Sequence, residues 1–265
     1  MHSWHWQAAE GLPYLTCSLL KSWPHGFFTQ QCWPRTPADL VSLLHPAAQV
    51  YRVKQVHGKT VLASSEIDAS GVQESGEVER PAADGLLTEQ AQQAVWVCSA
   101  DCTPVLIADE VTGQVAAVHS GWRGTAARIV PEAIARLQAQ GSRIENILVA
   151  LGPAIAGEVY QVSTEVAAEV GASLLPPATA DSPKSILQAL ENIPDSPILP
   201  DPEPGKARLD VRKAIALQLL QLGIEGDRIS TAPYCTYQQP DYFFSYRRDQ
   251  LKKVQWSGIV STQSS

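Results

Sequence analysis

Methionine is nearly missing from this 265-residue chain; it occurs once, as Met1. Histidine occurs six times, three of them within the first 25 residues. A centre of several coppers needs many imidazoles and often an axial methionine, so this supply argues against one. No apolar run approaches the length of a membrane span. There is no block of lysine and arginine, and the net charge is −7, which disfavours a general nucleic-acid binder. The first residues, Met1-His2-Ser3-Trp4-His5-Trp6, lack the charged and apolar regions of a signal peptide. Five cysteines, an odd number at irregular spacing, outline no disulfide framework. The expectation is a cytoplasmic chain with reduced thiols, and neither a membrane nor a nucleic acid as partner.

What is present is a globular composition, 45% apolar and 18% charged, in a chain long enough for a sizeable core. Short apolar, β-rich stretches occupy residues 12–30 and 48–63. Residues 64–83 are polar and acidic and read as a surface loop. From 84 to 166, strand-like and helix-like segments alternate as in an α/β protein, with a strand at 147–151 and a helix over 125–140 that Gly141 stops. Residues 171–205 hold eight of the nineteen prolines and read as a surface excursion with one short helix at 185–190. A helix is expected from Leu209 to Leu222, where Val211, Ile215, Leu219 and Leu222 recur at helical spacing. The tail, Tyr242-Phe243-Phe244-Ser245-Tyr246-Arg247-Arg248, reads as an aromatic strand ending in two arginines.

Three chemically capable residues fall at strand-to-turn junctions. His119 ends the apolar run Val115-Ala116-Ala117-Val118, just before the glycine-framed turn Ser120-Gly121-Trp122-Arg123-Gly124. Cys102 lies between two apolar runs, 94–97 and 105–108. His57 closes the short segment Lys54-Gln55-Val56-His57-Gly58. One thiolate and two imidazoles suit Zn(II), and three ligands leave a position for water or substrate. The bland alternative is two satisfied histidines and a small core cysteine; Cys98, directly after an apolar run, reads as packing of that kind. Asp101 could hold a ligand histidine or act as a general base, or simply bond its own turn. Arg123, between glycines at a helix start, could hold an anion beside free N–H groups or be a surface arginine.

The segments Lys54-Gln55-Val56-His57-Gly58, Ala83-Asp84-Gly85-Leu86-Leu87-Thr88, Ser99-Ala100-Asp101-Cys102-Thr103-Pro104-Val105 and His119-Ser120-Gly121-Trp122-Arg123-Gly124-Thr125 follow in this order. Leu151-Gly152-Pro153-Ala154-Ile155 and Phe243-Phe244-Ser245-Tyr246-Arg247-Arg248 come after them. Together they resemble the family of multicopper polyphenol oxidase or laccase-domain proteins, also called peptidoglycan editing factors and described as purine nucleoside phosphorylases. The resemblance runs from about residue 25 to 248. It implies an α+β fold with two mixed β-sheets packed between helices, a four-layer α/β/β/α sandwich. It implies one domain over 1–265 and a zinc ion on His57, Cys102 and His119. It further implies phosphorolysis of adenosine, inosine and related nucleosides, with adenosine deamination as a second activity. The small-molecule partners would be purine nucleosides and phosphate, and the chain would be a monomer or a homodimer.

On that reading Asp101 and Arg123 are the catalytic candidates, while Arg123, Arg247 and Asp84 are the substrate-binding ones. A three-ligand zinc lowers the pKa of its water towards ~7, which deamination at adenine C6 needs. Copper could enter the same site, since Cu(II) generally binds more tightly than Zn(II). Three other functions use the same residues: a laccase-like copper oxidase, a metal-free cysteine hydrolase with Cys102 as nucleophile and His119 as base, and a non-catalytic nucleoside-binding protein. Four features depart from the family pattern: Gln30-Gln31-Cys32 where the family has an arginine- and glycine-bearing loop, Gln161 where a glutamate is usual, Lys252-Lys253-Val254-Gln255-Trp256 without the usual Gly-Arg, and the long 171–205 stretch.

Overall fold

A computed structural model of the chain describes residues 2–67, 80–176, 182–191 and 193–262. In chain order the elements are β1 (Trp4–Ala9), β2 (Leu12–Cys17), β3 (His25–Phe28), α1 (Pro37–Leu44), β4 (Gln49–Tyr51), β5 (Val61–Ala63), β6 (Gly85–Leu87), β7 (Gln93–Ser99), β8 (Thr103–Asp109) and β9 (Val115–Ser120). There follow α2 (Trp122–Ala126), α3 (Ile129–Ala139), β10 (Ile147–Leu151), β11 (Gln161–Ser163), α4 (Thr164–Ala172) and α5 (Pro183–Glu191). The last are β12 (Ile198–Pro200), β13 (Lys206–Leu209), α6 (Val211–Gln221), β14 (Ile229–Thr231), α7 (Tyr246–Asp249) and β15 (Gln255–Val260).

Two six-stranded sheets make the body, in the orders β1-β2-β3-β15-β7-β4 and β14-β10-β8-β9-β6-β5. Side-chain alternation shows how they stack. Val95 and Val97 of β7 point into the core between the sheets, where they join Leu106, Ala108, Val115 and Ala117. Ala94 and Trp96 point the other way, onto a cluster with Leu40 and Val41 of α1. Val105, Ile107, Ala116 and Val118 face outward from the second sheet onto Ile134, Leu137, Ile215 and Leu219 of α3 and α6. The result is the helix–sheet–sheet–helix order that the family resemblance implies. Both faces of the central strands are buried, which is why β7, β8 and β9 read as nearly continuous apolar runs.

Several local expectations change. The sheets are mixed, as the resemblance implies, but the α/β-like alternation of 84–166 is built mostly of antiparallel pairs: β8–β9 and β8–β10 are antiparallel, and among the described strands only β4–β7, β5–β6 and β10–β14 are parallel. The 125–140 helix starts earlier, at Trp122, and is cut in two by Arg128, which sits in the left-handed region at φ 58°. Gly141, at φ 104°, terminates α3 as expected. The expected 209–222 helix is α6, capped by the Asp210 carboxylate on Lys213 N–H. The proline-rich stretch is more than an excursion over the surface. Its helix α5 buries Leu190 completely in the core, and β12 joins β13 and β11 in a small antiparallel sheet. The aromatic tail is no strand: Phe243 is buried between the sheets, and Ser245 caps the short helix α7. Within the 64–83 loop, residues 68–79 lie outside the described residues, and Ser64–Glu66 is a 3-10 turn.

Candidate metal and substrate site

The site sits where three chain turns meet at one end of the sheets. β9 carries His119 at its penultimate position, paired with Pro104 of β8. Cys102 occupies the tight turn between β7 and β8, and His57 the loop between β4 and β5. The His57, Cys102 and His119 ligand atoms all lie within 4.8 Å of one another. Tetrahedral zinc with one sulfur and two nitrogens sets its ligand atoms about 3.5 Å apart, so side-chain adjustments of about an ångström would close this cluster on an ion. The two imidazole rings meet edge to face, with centroids 4.9 Å apart. Gly121 follows β9, and a Cβ built there would lie 2.7 Å from Cys102 Sγ. A side chain at this position would have to displace the thiol.

The electrostatics favour an ionised thiol at Cys102. Burial opposes ionisation of Cys102, but the charge and hydrogen bond of His119, together with those of His57, outweigh it and bring the thiol down to about 6. His119 moves the opposite way. Burial alone would lower it, whereas the Cys102 thiolate and Asp84 carry it up to about 9. Cys98 gives the contrast: burial pushes its thiol up to about 11. It is half-buried in the wall of the same cavity, so it is more than the core packing expected from sequence, but it stays a protonated thiol.

Asp84 is fully buried, behind the two histidines rather than in contact with bulk solvent. Its Oδ1 accepts from His119 Nδ1 at 2.8 Å and from His57 N–H at 2.9 Å. Its Oδ2 accepts from Gly58 N–H at 2.7 Å and Val56 N–H at 3.1 Å. Burial would raise this carboxyl, but His119 and the loop N–H donors outweigh that and hold it below the usual carboxylate value. Gln55, which sequence reading passed over, makes a second clamp on the same loop. Its side-chain amide donates to the Cys98 carbonyl and accepts from the Cys98 N–H, both at 2.8 Å.

Above the cluster lies a cavity of about 520 Å³. Arg123 and Arg247 line it, as do Lys252 and Lys253. Arg123 lies over the Trp122 ring, 4.3 Å from its centroid, and Arg247 over the Tyr160 ring at 4.8 Å. Tyr160 is partly buried, and the burial together with the nearby Cys102 charge pushes its phenol up to about 12. Arg248 turns away and holds the carbonyls of Thr236, Tyr237 and Phe243. Asp101, expected from sequence to move protons, lines the cavity at a backbone φ of 93°. Both of its oxygens are engaged: Oδ1 accepts from the Thr236 hydroxyl and Oδ2 from Arg247 N–H, each at 2.7 Å. Asp101 thereby ties the Cys102 turn to α7 and to Arg247. No signal in the sequence points to Thr236, 135 residues away.

Two central mixed sheets with a Cys/His₂ cluster at one end define a class of protein, and comparison with known proteins identifies it. The family model described as multi-copper polyphenol oxidoreductase laccase matches residues 38–260, and the chain belongs to that family. A purine nucleoside phosphorylase of Synechocystis sp. is 50% identical over 258 residues, 97% of each chain. Another of Streptomyces coelicolor is 35% identical over 202 residues, 76% of this chain and 71% of that one. The crystal structure of YlmD from Geobacillus stearothermophilus superposes with a TM-score of 0.76 at 24% identity, over 97% of this chain and 99% of that one. The YfiH structure from Bacillus licheniformis gives 0.74 at 21% identity, over 97% and 99%. Both structures share the fold. Among the described residues no helix is long and apolar enough to cross a membrane.

Proposed function

We propose that the chain is a zinc-dependent purine nucleoside phosphorylase acting on adenosine, inosine and related nucleosides. The observation that carries this reading is one cavity with a three-ligand Cys/His₂ cluster at its floor and four cationic side chains in its wall. An anionic co-substrate explains the cations. Relatives named purine nucleoside phosphorylase, one of them 50% identical along nearly the whole chain, support the choice of reaction.

Arg123 and Arg247 hold phosphate in this reading, with charge-assisted hydrogen bonds to its oxygens. Asp101 keeps Arg247 over the cavity through its bond to that residue's N–H. The faces of Trp122 and Tyr160 support the two guanidinium groups at the cavity wall. A phosphate oxygen then bonds to the ribose anomeric carbon as the bond from that carbon to the base nitrogen breaks. The electron pair leaves with the base, which takes up a proton, and ribose 1-phosphate remains. Zinc supplies Lewis acidity when bound. Adenosine deamination, in which water replaces the amino group at adenine C6 and ammonia leaves, would be a side activity of the same site. With its hydrogen bonds to Thr236 and Arg247 in place, Asp101 is better suited to positioning than to carrying the proton of that step. Cu(II) would compete for the same three ligands. The cytoplasm is the location that goes with this reading, as the odd number and irregular spacing of the cysteines suggest.

One observation favours a second reading. The paired shifts of Cys102 and His119 describe a thiolate beside an imidazolium, the resting state of a cysteine hydrolase. The test is incubation of zinc-loaded protein with inosine, with and without phosphate. Phosphate-dependent formation of hypoxanthine and ribose 1-phosphate supports the phosphorylase. Turnover by chelator-treated protein that contains no metal would favour the hydrolase instead.

A further inference from the structure

We propose that Asp84 is a positioning residue that presets both histidine ligands with one carboxylate, fixing the tautomer of His119 and the loop conformation that delivers His57. The inference rests on the metal-site reading above, though not on the identity of the substrate.

Four donors converge on the two oxygens of this side chain: His119 Nδ1 and the N–H groups of Val56, His57 and Gly58. The side chain is fully buried. His57 needs the help. Its backbone lies in the left-handed region at φ 59°, which a non-glycine residue adopts only at a cost. Three successive N–H groups turned onto one carboxylate offset that cost. In the neutral His119 ring that a metal requires, donation from Nδ1 to Asp84 leaves Nε2 without a proton. The pairing is reinforced along the backbone, because His119 N–H donates to the Asp84 carbonyl at 2.7 Å. Asp84 and His119 thus cannot slide past each other.

The donor count makes the carboxylate irreplaceable by its isosteric amide. An asparagine has one acceptor oxygen and one NH₂ group in place of two acceptors. With its oxygen toward His119 and His57, the NH₂ faces the N–H groups of Val56 and Gly58, and the loop is pushed away. With its oxygen toward the loop, the NH₂ faces His119 Nδ1, which must then accept. That moves the imidazole proton to Nε2, where it blocks the metal. Either orientation damages one ligand.

The experiment uses Asp84→Asn beside Gln55→Ala, with zinc affinity measured by competition against a chromogenic chelator on protein shown to be folded. Asp84→Asn is expected to weaken zinc binding by about 10- to 100-fold. In the zinc-loaded wild type, nitrogen NMR should find the His119 proton on Nδ1, and this resonance should shift or vanish in Asp84→Asn. Gln55→Ala removes the other clamp on the loop and leaves His119 alone, so zinc binding should weaken less and the Nδ1 resonance should persist. Folded Asp84→Asn with wild-type zinc affinity would overturn the proposal. So would a wild-type His119 that carries its proton on Nε2, a result obtainable even if the variant does not fold. A protein that behaved as expected here yet consumed no nucleoside would leave Asp84 in its role and remove the phosphorylase reading alone.

Discussion

Asp84 and His119 are joined twice, side chain to side chain at 2.8 Å and His119 N–H to Asp84 carbonyl at 2.7 Å. Asp84 lies just before β6 and His119 near the end of its partner strand β9, and together they form one wall of the site. Cys102 and His57 are brought to that wall by turns. The order of rigidity matters for what each substitution should do.

Gly121→Ala is expected to injure the site without injuring the fold. The residue has an ordinary extended backbone, φ −80° and ψ 179°, which alanine adopts freely. Its new methyl would lie 2.7 Å from Cys102 Sγ and 3.7 Å from His57 Cδ2. Zinc affinity should fall by roughly an order of magnitude or more, in line with losses from displaced ligand shells. Thermal unfolding of the metal-free protein should change little. Unaltered zinc affinity would show that the thiol has room to retreat.

Thiol reactivity in the metal-free protein should separate the two cysteines of the cavity wall. A thiolate is the reactive form, and Cys102 lies below its ordinary value, at about 6, while Cys98 lies above it, at about 11. Iodoacetamide should therefore label Cys102 increasingly as pH rises through about 6, and Cys98 only in strong alkali. Bound zinc should protect Cys102. Mass spectrometry of the labelled peptide reads the outcome. Equal labelling of the two at neutral pH would contradict the assignment of charge.

Arg123→Ala and Arg247→Ala should each raise the KM for phosphate by roughly 10-fold or more, the cost of one lost charge-assisted hydrogen bond. Zinc content should stay near that of the parent protein, since neither residue is among the three ligands. Arg247→Ala should also loosen α7, because this guanidinium holds the Gln161 carbonyl. Steady-state kinetics with varied phosphate decide the matter. Unchanged phosphate dependence in both variants would reject the anion site.

Much of this site was legible in the chain. Short apolar segments ending in turns placed His57, Cys102 and His119 at strand-to-turn junctions, and the resemblance of the motifs supplied their joint role and the layered fold. The remainder depends on contacts that carry no local signal. Asp84 reads as a turn residue, and only the pairing of β6 with β9 reveals that it faces His119. Gln55 reaches Cys98 across 43 residues. The aromatic tail has strand propensity, but Phe243 is drawn into the core and Asp101 takes the Arg247 N–H, which leaves a short helix instead. In each case tertiary partners outweigh intrinsic preference.

The most direct test of the central claim is a zinc titration of chelator-stripped protein, followed by phosphate-dependent release of hypoxanthine from inosine. Turnover should rise linearly to one equivalent of zinc and then level off. Cys98→Ala should still take up that equivalent, whereas Cys102→Ala should neither retain zinc nor turn over. Zinc-replete wild-type protein that leaves inosine intact, or a Cys102→Ala variant that consumes it as fast as the parent, would contradict the account.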